Sequence, residues 1–268
     1  MPTVTTKKSD KNELQALGFA EARDSYDLVY LPSQGKYGTV YGESIKVSHL
    51  KAIDSNILTS VRLMSEGLHL TTLVDKKLAY EDTKIKANDL LVGDFIKVLL
   101  FLRTTSGYGD EFIVKLTDPK TGEVFDHSVD LSSIKIKDVE VYPNEDGLLE
   151  YTLPHSKKPV LFRYLTIGEE REIAERDQKT MQLRNTTISN IETLRLVAQI
   201  QSLDGETDKS KIQTFIETQM SMRDMVEFKK FVVANEPSVD LEIEARGPSG
   251  ATFQTDFPIE GLLYFNNV

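Results

Sequence analysis

Val92-Gly93-Asp94-Phe95-Ile96-Lys97-Val98-Leu99-Leu100-Phe101-Leu102-Arg103, with the Phe112, Val114, Leu116 alternation and the Asp118-Pro119-Lys120-Thr121-Gly122 turn behind it, decides the fold. The stripe Leu91, Phe95, Val98, Leu99, Leu102 predicts a helix starting near Asn88 or Asp89. Val92, Ile96 and Phe101 widen that stripe, so the helix should be buried from two sides. Gly107-Tyr108-Gly109 should end it, and Phe112 to Leu131 reads as a β-hairpin. The same phrase returns later. Met222-Arg223-Asp224 opens a helix carrying Met225, Phe228 and Val232. It leads to Leu241, Ile243, Ala245 and the turn Gly247-Pro248-Ser249-Gly250. The offset is 130 at the aspartates, 129 along the outgoing strand and 128 on the return, where Phe253, Phe257 and Ile259 echo Phe125, Val129 and Leu131. One deletion inside the turn explains the change and preserves in/out parity, which a slip within a strand would invert.

Working outward, Leu31-Pro32-Ser33 is echoed by Leu153-Pro154-His155. Landmarks repeated in one order predict an α+β chain: two tandem, divergent copies of a unit with short strands, two or three helices and a C-terminal β-hairpin. The expected division is a polar N-terminal arm over 1–25, a first repeat domain over 26–145 and a second over 146–268. In the first copy, Tyr26 to Leu31 and Ile45-Lys46-Val47 read as strands. Asp54 is a candidate N-cap for a helix carrying Ile57, Leu58, Val61 and Met64, and Leu70, Leu73 and Val74 mark another. In the second, Tyr151 to Pro154 and Val160 to Tyr164 read as extended. Thr166 and Glu169 have capping-box spacing for a helix through Glu175. Gln178 to Asn185 reads as loop. Ile188, Ile191, Leu194, Val197 and Ile200 predict an amphipathic helix, and Ser210 caps one carrying Ile212, Phe215, Ile216 and Met220.

A net charge of −10 on 268 residues argues against broad nucleic-acid binding, which needs a Lys/Arg excess. With no cysteine, disulfides, thiolate zinc sites and Cys nucleophiles are excluded. No signal-peptide pattern opens the chain, and the apolar run Val98 to Leu102 is too short to cross a bilayer, so no membrane role is expected.

Candidate chemistry dissolves under its own requirements. Ser33-Gln34-Gly35-Lys36-Tyr37-Gly38-Thr39-Val40-Tyr41 resembles a kinase glycine-rich loop, yet Lys46 follows Gly38 too closely for a hairpin to fold over a nucleotide. His49, His69, His127 and His155 lack metal-ligand spacing. Asp126, His127 and Asp130 have no nucleophile elbow beside them. Asp204-Gly205-Glu206-Thr207-Asp208 lacks the alternating ligands of a calcium loop. The expectation is no catalytic residue, no metal, no cofactor and no small-molecule substrate.

The order of landmarks resembles the baseplate protein family of T-even-type contractile-tailed bacteriophages, associated with the baseplate hub and its assembly. The matching pieces are Leu31-Pro32-Ser33-Gln34-Gly35, Ile45-Lys46-Val47, Leu90-Leu91-Val92-Gly93-Asp94, Arg103 to Gly109 and Val129-Asp130-Leu131. Leu153-Pro154, Asp224, Pro237-Ser238-Val239-Asp240, Phe257-Pro258-Ile259 and Leu263-Tyr264-Phe265 complete the set. Many relatives resemble one another in a Cys-Pro-x-Cys-Gly knuckle at each hairpin turn. Here the prolines remain without the cysteines, so the turns should hold by backbone geometry alone.

The resemblance implies a non-enzymatic baseplate or hub component working through protein–protein contacts. The alternative it leaves open is a transient assembly chaperone for hub or tape-measure proteins, and a tail-associated cell-wall hydrolase is a remote third reading. Implied partners are other phage baseplate or tail proteins, including the tape-measure protein. The implied location is the host cytoplasm during assembly and the virion tail baseplate if the protein is structural. Candidate partner-binding residues are Leu31, Pro32, Leu262, Leu263, Tyr264 and Phe265.

Overall fold

The computed structural model describes residues 25–78, 85–106 and 109–257. Among these residues the architecture is α+β, with helices packed among four small antiparallel sheets. Strand β1 (Tyr26–Tyr30) pairs with β2 (Ser44–Ser48), and helices α1 (Ser55–Leu58), α2 (Val61–Ser65) and α3 (His69–Lys77) follow. Helix α4 (Val92–Thr104) leads to the hairpin β3 (Glu111–Thr117) and β4 (Val124–Asp130). Strands β5 (Leu149–Thr152), β6 (Pro159–Phe162) and β7 (Ile200–Leu203) form one sheet, with α5 (Ile167–Arg184) and α6 (Ile191–Gln199) between the last two. Helices α7 (Lys209–Thr218) and α8 (Met222–Ala234) precede the hairpin β8 (Glu242–Arg246) and β9 (Thr252–Asp256).

Several local expectations are corrected. The helix expected from Asp54 is split into α1 and α2, and Asp54 does not cap it with its side chain. Its buried carboxylate instead accepts from Lys51 N and meets the ammonium groups of Lys76 and Lys77. Helix α4 begins at Val92 rather than Asn88, because Ala87–Asp89 forms a separate tight turn. Helix α5 runs through the segment expected to be loop. Asn185 closes it in the left-handed conformation, with Thr186 N donating to Met181 O. Ile188 lies before α6, because Asp177 accepts from Ser189 Oγ and Asn190 N and sets the helix start at Ile191. Ile200 has already left that helix for β7, and Asp208, not Ser210, caps α7.

Two hydrophobic cores form, and they exchange residues across the 145/146 position. The first gathers Leu31, Val47, Leu73, Leu90, Val98, Leu102 and Val114, together with Val239, Ala245 and Phe257 from the other half. The second gathers Leu153, Phe162, Ile200, Ile212 and Phe228, together with Tyr37 and Leu91 from the first half. Backbone contacts reinforce the exchange: Lys137 N donates to Ser238 O, Asp240 N to Lys135 O, and Ile167 N to Leu90 O. Gly147, at φ 76°, lies so close to Gly38 that a Cβ there would sit 2.3 Å from Gly38 N. The second hairpin therefore packs in the first core. Helix α4, with Phe95, Ile96, Val98, Leu99, Leu100 and Leu102 all buried, lies in the same core.

Candidate functional site: the Leu-Pro turns and the hairpin tips

Each Leu-Pro segment turns over a carboxylate from the first turn of the helix that precedes a hairpin. Asp94 of α4 accepts Ser33 N (2.9 Å) on Oδ1 and the Tyr41 hydroxyl (2.7 Å) on Oδ2; that hydroxyl accepts in turn from Leu91 N. Asp224 of α8 accepts His155 N (2.7 Å) and Ser156 N (3.1 Å), one on each oxygen. Both carboxylates are fully buried at helix N-termini, where the backbone dipole favours a negative charge. Their titration diverges. Burial raises Asp94, and the hydrogen bonds from Ser33 and Tyr41 offset that only partly. Burial also acts on Asp224, but the bonds from His155, Ser156 and Ser221 outweigh it and the net shift is downward. The Tyr41 hydroxyl, desolvated and beside Asp94, is pushed well above the ordinary phenol range.

Leu31 is 1% exposed and Pro32 is buried beside it, so both are core residues holding the turn rather than surface offered to a neighbour. Leu262, Leu263, Tyr264 and Phe265 lie outside the described residues. The glycine-rich stretch that follows Pro32 is a packed turn. A Cβ on Gly35, at φ 71°, would meet Gly42 C at 2.8 Å, and the Tyr37 ring lies edge-on to Tyr164 at 5.6 Å.

The two hairpins pack on each other through Phe125 and Phe253 (6.3 Å) and through Phe112 and Phe257 (5.5 Å). Their registers match: Leu116 pairs with Phe125 as Ala245 pairs with Phe253, and Val114 with His127 as Ile243 with Thr255. At the tips, the buried Asp118 carboxylate accepts from Lys120 N (2.8 Å) in its own turn and from Ser249 N (2.9 Å) in the other. A Cβ on Gly247 would lie 2.3 Å from Asp118 Oδ2, so a side chain there would displace the carboxylate from its place between the tips. The expectation that backbone geometry alone holds the turns is thus corrected: a side-chain carboxylate ties them together. An Asp-Pro pair at a turn was the available signal, since Asp readily bonds to backbone N–H groups two residues on.

Hydrogen bonds from the hydroxyl and N–H of Ser249, then from Lys120 and Thr121, hold the Asp118 carboxyl down to about 2. Its folded value lies below the ~3.9 of an unfolded aspartate. Its stabilisation is therefore present above about pH 4 and drains away as pH falls toward 2. The expected result is that the melting-temperature gap between wild type and Asp118→Ala narrows steadily from pH 5 to pH 2.

The remaining polar candidates have structural partners. Asp126 pairs with Lys115 (3.0 Å), Asp130 binds Ser132 N, and Asp204 pairs with Lys158 (2.7 Å). Among the described residues, no group of three or more His, Asp or Glu side chains is placed to hold a metal ion, and no helix is long and apolar enough to cross a membrane.

A buried carboxylate under each Leu-Pro turn and two joined hairpins are the features whose sequence landmarks the family comparison covers. The family model for the T4 bacteriophage base plate protein matches residues 26–265. The chain belongs to that baseplate family. The match spans both Leu-Pro turns, both capping aspartates and both hairpins, so the family signature covers the whole interlocked body rather than one half. No curated protein and no solved structure matches the chain. Membership of the baseplate family points to other phage tail and baseplate proteins as its partners and to the virion tail as its location.

Proposed function

We propose that this protein is a non-enzymatic component of the baseplate hub of a contractile tail and works through protein–protein contacts. The observation that carries the reading is the family match across 26–265. Its interlocked cores support it, since a piece that must transmit load benefits from halves that cannot separate without exposing both interiors. Partners are neighbouring baseplate and tail proteins, with the tape-measure protein among them, met first in the host cytoplasm. Leu262, Leu263, Tyr264 and Phe265 remain the proposed apolar docking segment.

The two halves are proposed to descend from one duplicated unit, the first over 26–145 and the second over 146–268. Supporting this, Asp94 and Asp224 each accept the backbone N–H of the residue that follows the Leu-Pro pair, Ser33 and His155. Phe125 also meets Phe253, its own counterpart at an offset of 128, as a pseudo-twofold axis would require.

Mass spectrometry of purified mature particles tests the role. The expected result is this chain at a fixed stoichiometry with the other baseplate proteins. Its absence from particles whose assembly requires it would replace the structural role with that of a transient chaperone, a role that the net charge of −10 would suit by keeping a free factor soluble.

A further inference from the structure

Among the described residues, strand β1 has a free edge. Its sheet there consists of β1 and β2, and the far side of β2 is closed by a bridge between Val47 and Leu78. Leu31 N donates to Glu43 O, which fixes the phase of the ladder. Residues 27 and 29 point their backbone groups at β2, while Tyr26, Leu28 and Tyr30 point theirs outward. Among the described residues no strand takes those groups up. Tyr26, Leu28 and Tyr30 are exposed, at 37%, 52% and 58%; Asp27 is exposed too and meets His49 Nε2 at 3.1 Å, whereas Val29 is buried. The one charge in the strand, Asp27, is turned to His49, and an edge whose outward-phased residues are large and apolar, with no proline among them, is what proteins ordinarily avoid leaving open.

Beside this edge lies a groove of about 420 Å3, lined by Leu100, Phe101, Ile134 and Ile136 with Lys97 and Asp110. Lys97 is half-buried and has no ion pair or hydrogen bond among the described residues. Desolvation lowers its pKa without any opposing contribution from a carboxylate. A partly desolvated ammonium group in an apolar groove is costly until an anion reaches it.

We propose that the free edge of β1 takes up an extended segment of a neighbouring tail protein as a third strand, with apolar side chains entering the groove at alternate positions and an Asp or Glu meeting Lys97. Main-chain hydrogen bonds to residues 26, 28 and 30 supply the affinity, and the groove and Lys97 supply the register and selectivity. The inference rests on the reading of the protein as a contact-making tail component, and it names the surface and the chemistry of one contact.

The test places the photo-cross-linker p-benzoylphenylalanine at Tyr30 of the full chain during infection. Irradiated assemblies are then purified and the cross-linked peptides sequenced. The expected product joins Tyr30 to one other tail protein, in a stretch with alternating apolar residues and a carboxylate. Lys97→Glu is expected to reduce that product about tenfold and Lys97→Arg to retain most of it. Leu28→Asp, at an exposed position, should abolish it in a protein that still melts like wild type. A cross-link to residues 1–24 or 258–268 of the same chain, to a second copy, or to nothing would overturn the inference. So would a product indifferent to Lys97→Glu. The particle stoichiometry is measured separately, so the chain can be found in mature tails while this edge proves unused.

Discussion

Replacing Gly93 with alanine is expected to destabilise the protein by about 3 kcal/mol, at the upper end of overpacking costs, and to lower its melting temperature by roughly 6–12 °C. Gly93 sits in the first turn of α4, where alanine would ordinarily improve the helix by up to ~1 kcal/mol. Here the added Cβ would lie 2.0 Å from Pro237 O and 2.7 Å from Ser238 Cα. These are backbone atoms, so no rotamer change relieves the clash. The 237–240 segment would have to move, and it carries the hydrogen bonds to Lys135 and Lys137 that bring the second hairpin into the first core. The counterpart of Gly93 is the exposed Arg223, and Arg223→Ala is expected to change stability by less than ~0.5 kcal/mol. Thermal melts of the two variants followed by circular dichroism make the comparison. A Gly93→Ala protein melting within a degree or two of wild type would show that the segment is not held where it is described.

The second large effect separates two aspartates that occupy equivalent places. Asp224→Asn is expected to cost about 1–3 kcal/mol, while Asp94→Asn costs under about 1 kcal/mol. Both oxygens of Asp224 accept from backbone N–H groups, so an amide NH2 must face one of those donors and leave it unpaired. Asp94 uses one oxygen for Ser33 N and the other for the Tyr41 hydroxyl, whose oxygen can accept from an amide while its proton turns to Ser33 Oγ, which is otherwise unpartnered among the described residues. The pH dependence should also carry opposite signs. Asp224 is depressed in the folded state, so its stabilisation is present above the unfolded value of ~3.9 and is lost as pH falls through the folded value. Asp94 is raised, so its contribution is full below ~3.9 and is lost as pH rises through the folded value. Urea titrations of both variants between pH 3 and pH 7 should show the deficit of Asp224→Asn growing with pH and that of Asp94→Asn shrinking. Parallel curves would contradict the assigned hydrogen bonds.

Much of the chain's local plan is legible in its residues. The stripe from Phe95 to Leu102 and the alternation from Phe112 to Leu116 each carry a period that only one backbone geometry can bury. The inward faces of the hairpins followed from parity, because a one-residue slip would turn Val114 or Ala245 outward. Failures cluster where a period is weak or a side chain acts at a distance. Gln178 to Arg184 is mostly polar, its two apolar residues Met181 and Leu183 make no helical stripe, and it reads as loop, yet a C-terminal closure at Asn185 completes the helix. Asp54 looks like a cap by position and is claimed instead by Lys76 and Lys77. Leu31 and Pro32 stand out as a motif, and motif prominence says nothing about exposure. Their partner Asp94 lies some sixty residues away.

By itself, then, the sequence determined the order of helices and hairpins and the α+β class, and it marked the Leu-Pro segments and the later aspartates as echoed landmarks without linking one to the other. Those properties depend on neighbours within a turn or a strand, and local periodicity records them. Only the tertiary structure decided that the second hairpin packs in the first core, that Tyr37 belongs to the second, and that Asp118 ties the two hairpin tips. It also decided why position 93 must be glycine while position 223 carries arginine. Each of these depends on two backbones meeting after a hundred residues or more of intervening chain. Nothing in the spacing of either segment alone encodes that meeting.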